Sequence, residues 1–263
     1  MTIREFYAAL EERFPRTLSW DWDNDGISCA PDLDAPVTGI LIALDPTEDA
    51  VEAAIEAGCN VLLTHHPMLF RGLKTVAGHD TGSRKVIRMI QHGITAKAFH
   101  TRLDAADGGV NDTLAARLGL CDAEPFGDNA NPAGKPIGRV GNLPREMSAD
   151  EFIETVKTAL GLPALVFAGC GKSVRRVAVV GGAGDDEIAA AVAAGADTFV
   201  TGELRYHQLC DAPYSRPEEA INLIMAGHFH TEAPVLDRLA ALCGEIIPEI
   251  SVRVLRATPV EVR

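Results

Sequence analysis

The chain has 263 residues, a formal net charge of -13 and 47% hydrophobic residues, with only 5% aromatic residues. This length and apolar content suffice for one large domain or two small ones, each with its own core. The negative charge argues against nucleic acids and anionic membrane surfaces as the main partners.

Cysteine usage and the first residues indicate a cytoplasmic protein. The six cysteines are scattered and form no C-x-x-C pair, which is typical of reduced thiols rather than a disulfide framework. The start of the chain predicts a helix rather than a secretion signal, and no apolar run approaches the ~20 residues of a membrane span. We therefore expect no membrane association.

The first half of the chain predicts alternating helices and strands. Thr2 and Glu5 have the spacing of a capping box, and Asp45-Pro46-Thr47 predicts a helix start. The expected elements are a helix at 3–14, a strand at 39–44, a helix at 48–57, a buried parallel strand from 61, a helix capped by Ser83 and a strand at 94–99. These segments include a βαβ unit.

The second half of the chain contains the predicted link between two domains. A helix starting at Asn111 or Asp112 comes first, and residues 125–136, rich in Pro, Gly, Asn and Asp, predict a domain link. A strand at 139–143, a helix capped by Ser148 and a strand at 165–168 follow. We expect a first domain at 1–125 and a second at 126–232, with residues 233–263 packing back on the first.

The two halves contain a repeat. Residues 40–64 align without a gap with residues 177–201, at an offset of 137, and Phe99-His100-Thr101 has an echo in Phe229-His230-Thr231. The alternative is a chance match between segments rich in Ala, Gly and Val. We expect an α/β protein of two related modules, with mixed or mainly parallel sheets.

Histidines and carboxylates follow several predicted strands. His65 and His66 end the strand that starts at 61, at the edge where α/β sheets bind ligands. A His-His pair alone is more often a surface or capping pair, so further ligands are needed. Asp104 follows another strand, and His228 and Glu232 lie either on one helical face or around a helix start. An exposed ion pair is the alternative for the last two.

An ordered set of motifs resembles one known family. The strings are Trp22-Asp23-Asn24, Asp45-x-Thr47, Thr64-His65-His66-Pro67, His100-Thr101-x-Leu103-Asp104, Gly109-Val110-Asn111-Asp112, Thr201-Gly202-Glu203 and Gly227-His228-x-x-Thr231-Glu232. Together they resemble the Nif-three-like dinuclear metal family, also called the GTP cyclohydrolase I type 2 homologue family. The resemblance covers almost the whole chain.

This resemblance implies a two-domain α/β protomer, a homo-hexamer and a site for two divalent metal ions in the cleft between the two modules. The implied metal ligands are His65, His66, Asp104, His228 and Glu232, with Asp104 and Glu232 as bridges. Imidazole and carboxylate ligands select weakly, so zinc, iron and manganese all remain open.

Three residues depart from the family pattern. Arg102 stands where a small polar residue is usual, Glu203 replaces Asp, and His230 adds an imidazole. We predict proton transfer by His100, Glu203 or His230, and a contact of Arg102 with a substrate phosphate. The alternative for each of these four residues is a structural role.

Two functions remain open. The first is a metal-dependent hydrolase, similar to GTP cyclohydrolase, in which two cations generate hydroxide that attacks a nucleotide-like substrate. The alternative is a non-catalytic protein that binds or transfers metal, or a scaffold for partner proteins.

Overall fold

A computed structural model describes residues 1–211, 214 and 216–260 of the chain. The described residues form two compact units: residues Met1–Leu103 with Leu236–Thr258, and residues Asp104–Val235 with Pro259 and Val260. Within the described residues, no helix combines the length and apolar character that crossing a bilayer requires.

Helices and strands alternate along most of the chain. The helices are α1 (Ile3–Arg13), α2 (Glu48–Glu56), α3 (Thr81–Gln91), α4 (Thr101–Ala105), α5 (Val110–Arg117), α6 (Ala149–Leu160), α7 (Ile188–Ala193), α8 (Tyr206–Asp211), α9 (His228–Glu232) and α10 (Val235–Ile246). The strands are β1 (Gly26–Cys29), β2 (Ile40–Ala43), β3 (Val61–Thr64), β4 (Thr95–Ala98), β5 (Cys121–Phe126), β6 (Gly138–Met147), β7 (Val166–Ala168), β8 (Val174–Ala183), β9 (Thr198–Glu203), β10 (Asn222–Met225) and β11 (Val252–Leu255).

The first unit is built on a five-stranded sheet in the order β1-β4-β3-β2-β11. Strands β4, β3, β2 and β11 are parallel, and β1 pairs with β4 in the antiparallel sense. Each of the four residues of β2, β3 and β4 is buried. This explains the nearly uninterrupted apolar sequences of β2 and β3, whereas β4 also buries Thr95 and Lys97. Leu41 and Leu62 pack with Val51 of α2 and Met89 of α3 in one core.

The second unit contains a six-stranded mixed sheet in the order β5-β6-β8-β9-β10-β7. Its central strands β8, β9 and β10 are parallel, whereas β5, β6 and β7 join in the antiparallel sense. Leu114 of α5 and Leu118, which follows this helix, share a core with Phe152 of α6 and with Val177 and Val200 of the sheet. The prediction of an α/β protein with two related modules and mixed sheets is confirmed.

The predicted repeat has the same strand register in both units. Ile40 pairs with Val61 and Ala43 with Thr64. At an offset of 137, Val177 pairs with Thr198 and Val180 with Thr201. A shared register over a whole βαβ unit goes beyond a similarity of composition, which supports the interpretation as a duplication.

The second predicted echo does not follow this register. The Phe99 amide donates to the Thr64 carbonyl at 3.0 Å, and in the second unit it is the Ala226 amide that donates to Thr201, at 2.8 Å. Phe99 therefore corresponds to Ala226, and the residue equivalent to His228 is Thr101. The alignment of His100 with His230 is wrong by three residues.

Helix starts follow the predicted side-chain caps with two exceptions. The helix predicted to start at Asn111 or Asp112 is α5, which starts at Val110 after Gly109, and glycine has no side chain to serve as a cap. Thr2 and Ser148 form capping boxes, and the Thr47 hydroxyl accepts from the Ala50 amide. For α3 the cap is Asp80, whose carboxylate accepts from the Ser83 amide at 2.7 Å. Ser83 therefore lies inside the helix that it was predicted to cap.

The polar stretch predicted as a domain link connects two neighbouring strands of one sheet. It lies between β5 and β6, which pair in the antiparallel sense. The division between the units falls instead at Leu103 and Asp104. The reason is that α5 packs its apolar face on the second sheet. Residues 236–258 belong to the first unit, where β11 pairs with β2.

Candidate metal centre

The first unit brings three histidines together at the carboxyl ends of β3 and β4. His65 and His66 follow β3, and His100 lies two residues after the end of β4. One ring nitrogen from each lies within 4.8 Å of the other two. We call His65, His66 and His100 the imidazole cluster. Parallel strands end at the same edge of a sheet, and this places the three rings side by side.

Each ring of the imidazole cluster is oriented by an oxygen acceptor. The Nδ1 atom of His65 lies 2.9 Å from the Phe99 carbonyl oxygen. Nδ1 of His66 lies 2.7 Å from Asp45 Oδ1, and Nδ1 of His100 lies 2.9 Å from Asp23 Oδ1.

These contacts determine the tautomer of the three rings. Carbonyl and carboxylate oxygens can only accept, so Nδ1 carries the proton in each case. A neutral imidazole then has its lone pair on Nε2, the form in which histidine binds metal ions.

Asp23 is itself held in place. Its second oxygen accepts from the backbone amide of Thr101 at 3.1 Å and from the hydroxyl of the same residue. Burial raises the pKa of the Asp23 carboxyl, but the hydrogen bonds from His100 and Thr101 outweigh this effect, and the pKa lies below its ordinary value. The carboxylate therefore stays ionised as an acceptor for His100.

The second unit contributes two carboxylates and one imidazole. Nε2 of His228 lies 3.2 Å from Oε2 of Glu232, one turn later in α9. A carboxylate oxygen of Asp104, in α4, lies within 4.8 Å of a Glu232 carboxylate oxygen. We call Asp104, His228 and Glu232 the carboxylate cluster. Asp104 and Glu232 are both buried, which is rare for carboxylates unless they are paired or bind a metal ion.

The same orienting contact recurs in the carboxylate cluster. Nδ1 of His228 lies 2.8 Å from Oε1 of Glu203, at the end of β9. At the offset of 137 residues, Glu203 corresponds to His66. The end of β3 therefore carries a candidate ligand, whereas the equivalent end of β9 carries the acceptor that orients the ligand His228. Glu203, predicted to transfer protons, therefore contacts a candidate ligand directly.

Two glycines make room for α9. A Cβ atom at Gly202 would lie 2.7 Å from the His228 Cα atom, so any larger residue would displace the start of the helix. Gly182 has φ +68°, and a Cβ atom there would lie 2.2 Å from Oε1 of Glu232. Gly182 is the repeat equivalent of Asp45. In the first unit Asp45 supplies the carboxylate that orients His66, whereas in the second unit Gly182 leaves space for the Glu232 side chain.

The donor chemistry of the two clusters fits divalent transition metals. Imidazole nitrogens with orienting acceptors, together with buried carboxylates, are the usual ligands of zinc, iron and manganese. All five side chains predicted as ligands belong to these two clusters. His100 was predicted only as a proton-transfer residue, but its ring lies beside those of His65 and His66.

Two other predicted site residues have different surroundings. Arg102 is 1% exposed, and its guanidinium donates to both oxygens of Asp25 and to the Phe14 carbonyl. This is the geometry of a structural ion pair, and the predicted contact with a substrate phosphate stays a prediction.

His230 packs edge-on against the Phe229 ring, and burial lowers its pKa. In the part of the chain that the structure describes, no group of potential metal ligands includes His230.

Asp23, Asp45 and the two glycines were not predicted as functional residues. A signal was present for Asp45, because it lies two residues after the end of β2 just as His66 lies two residues after the end of β3. For Gly182 the signal was the repeat, which aligns this glycine with Asp45. For Asp23 the sequence shows a polar turn within the string Trp22-Asp23-Asn24, but its partners His100 and Thr101 lie 77 and 78 residues away along the chain.

Comparison with known proteins agrees with these motifs. A family model described as Duf34/NIF3 (NGG1p interacting factor 3) matches residues 1–259. A relative from Clostridium perfringens, named GTP cyclohydrolase 1 type 2 homolog, is 35% identical over 246 residues, covering 91% of this chain and 90% of the relative. A relative of the same name from Streptomyces coelicolor is 34% identical over 251 residues, covering 93% and 86%. The solved structure of Staphylococcus aureus protein SA1388 is similar with a TM-score of 0.89 at 26% identity, covering 100% of this chain and 99% of that one. The chain therefore belongs to the Duf34/NIF3 family.

Proposed function

We propose that this protein is a metal-dependent hydrolase that acts on a nucleotide-like substrate. The single observation that carries the proposal is the pattern at the four histidines. His65, His66, His100 and His228 each direct Nδ1 at an oxygen acceptor, three of which are carboxylates. This arrangement is typical of metal-binding histidines and is hard to explain for four histidines that merely fill space.

The two clusters supply the ligands for two divalent ions in this proposal. His65, His66, Asp104, His228 and Glu232 hold the ions, as the family resemblance implies, and His100 is a sixth candidate. When bound, divalent cations lower the pKa of water and polarise the group under attack. Asp45, Asp23 and Glu203 keep the proton on Nδ1 of their histidines.

The substrate class rests on the relatives. Those from Clostridium perfringens and Streptomyces coelicolor carry the name GTP cyclohydrolase 1 type 2 homolog. A nucleoside triphosphate is the first substrate to test for this chain. Assembly as a homo-hexamer stays a prediction of the sequence.

Metal analysis tests the first step. The purified protein, and protein reconstituted with zinc, iron or manganese, is analysed by elemental mass spectrometry. We expect close to two equivalents per chain, and a loss of at least one in Asp104→Asn. Asp107→Asn is the matched control, because this aspartate lies three residues later with its side chain 86% exposed. Equal metal content in the two variants would contradict the ligand assignment.

Turnover tests the second step. The reconstituted forms are assayed against GTP, other nucleotides and phosphodiesters. We expect hydrolysis that Asp104→Asn abolishes and Asp107→Asn retains. Full metal occupancy without turnover of any of these substrates would instead favour the non-catalytic metal-binding alternative.

A further inference from the structure

Two aromatic side chains beside the imidazole cluster are exposed to solvent. Trp22 is 61% exposed and Phe70 is 52% exposed, whereas Trp20, two residues before Trp22, is 5% exposed. Trp20 therefore anchors its turn on the core of the first unit, as is usual for a tryptophan in a loop. Trp22 has no such anchoring function and requires another explanation.

Trp22 and Phe70 form a three-ring group with His100. The ring centroids of Trp22 and Phe70 lie 6.1 Å apart, and those of Trp22 and His100 lie 6.3 Å apart. Both aromatic rings contact His100 edge-on, at interplanar angles of 79° and 87°. An edge-to-face contact covers one face of one ring at most, which agrees with the exposure of the two side chains.

The three-ring group is continuous with the candidate metal ligands. The His100 ring centroid lies 5.3 Å from that of His65 and 5.5 Å from that of His66. A ligand lying against Trp22 or Phe70 would therefore have its edge next to the imidazole cluster.

The loops that carry the two rings are held in place. The Asn24 side chain donates to the Leu69 carbonyl, which ties the two loops to each other. The Trp20 amide donates to the Thr101 hydroxyl at 3.2 Å, and Asp23 accepts from His100. These bonds fix the backbone on both sides of Trp22, so little ordering of the loops is required when a ligand binds.

We propose that Trp22 and Phe70 form a subsite that stacks a planar nitrogen heterocycle, such as a nucleobase, beside the candidate metal ligands. The proposal deepens the proposed function and rests on it for the choice of a nucleotide-like ligand. Stacking on aromatic side chains is effective for bases because every base has a π-face. A chain with a net charge of -13 attracts phosphates poorly, which gives the base a larger share in recognition.

Tryptophan fluorescence measures occupancy of this subsite. The chain has two tryptophans, and the difference in emission between the native protein and Trp22→Phe isolates Trp22. Guanosine, GTP, ribose 5-phosphate and choline are titrated into the metal-loaded and the metal-stripped protein. We expect guanosine and GTP to change Trp22 emission saturably in both forms, and ribose 5-phosphate and choline to have no effect.

Substitutions test whether the rings supply the binding energy. Guanosine affinity is measured by equilibrium dialysis for Trp22→Leu and Phe70→Leu, and each should fall about tenfold or more. Trp22→Phe keeps a ring and should lose less. Val76→Ala is the matched control, because Val76 is another exposed apolar residue, 61% exposed, in the loop that precedes α3. Unchanged urea unfolding shows that each variant is folded.

Several results would overturn the subsite. They are unchanged guanosine affinity in both leucine variants, no guanosine binding to either form of the protein, and a choline response equal to that of guanosine. Without ligand, Trp22 emission could instead change with protein concentration. If Trp22→Leu also abolished self-association, the two rings would be assigned to an interface between copies. Guanosine binding without metal uptake or turnover would refute the proposed function and leave the subsite standing.

Discussion

Substitution of Gly182 by alanine tests whether metal binding depends on the position of the Glu232 carboxylate. An added Cβ atom would lie 2.2 Å from Glu232 Oε1 and 3.1 Å from His228 Nε2. Ordinary contacts of a Cβ atom begin near 3.4 Å. The Glu232 carboxylate must therefore move by about 1 Å, a shift large enough to disturb a preorganised ligand set.

The expected size of the effect follows from two terms. A left-handed backbone costs a non-glycine residue about 1–2 kcal/mol, which should appear as a loss of stability in the metal-free protein. Displacement of Glu232 should weaken metal binding by about 10- to 100-fold, the range seen when contacts that support metal ligands are removed.

Gly161→Ala is the matched control for Gly182→Ala. Gly161 ends α6 with φ +67°, close to the +68° of Gly182, and an added Cβ atom there would meet no atom within 4 Å. Both variants should lose similar stability in urea unfolding of the metal-free protein. Only Gly182→Ala should lose zinc affinity, measured by competition with a chromogenic chelator. Equal zinc affinity in the two variants would refute the reasoning about Glu232.

Three further predictions concern stability. Arg102→Met removes the guanidinium that donates to both oxygens of the buried Asp25 carboxylate, which keeps its contacts with Arg16 and Ser19, and should cost about 2–3 kcal/mol in urea unfolding. Arg145→Met breaks an exposed pair with Glu151 and should leave the unfolding midpoint nearly unchanged. Ser148→Ala removes a capping box and should cost about 1 kcal/mol; an unchanged unfolding midpoint would show that this cap is dispensable. Burial raises the pKa of the Cys243 thiol from 9.0 to about 12, so its contribution to stability is fully present below pH 9 and is lost as the pH rises towards 12. Unfolding free energies measured between these values should fall more steeply for the native protein than for Cys243→Ala, and parallel curves would contradict this.

The sequence alone was sufficient for the local features of the fold. Capping boxes such as the one at Ser148 act within four residues, so they can be recognised without tertiary information. A buried parallel strand such as β3 is apolar up to its last residue, Thr64. The repeat was visible because equivalent positions in two βαβ units face the same packing demands. The ordered motifs around the histidines sufficed to identify the family.

Tertiary structure decided which residues surround each candidate ligand. The partner of His100 is Asp23, 77 residues earlier, and neither the length nor the composition of the chain between them indicates this contact. Arg102 shows the same limit, because a guanidinium beside a ligand motif suggests a substrate contact until its burial against Asp25 is known. The division between the units depends on where α5 packs, and an apolar helix face does not specify which of two sheets covers it. Local hydrogen bonds depend on neighbouring residues, whereas the surroundings of a side chain depend on the whole fold.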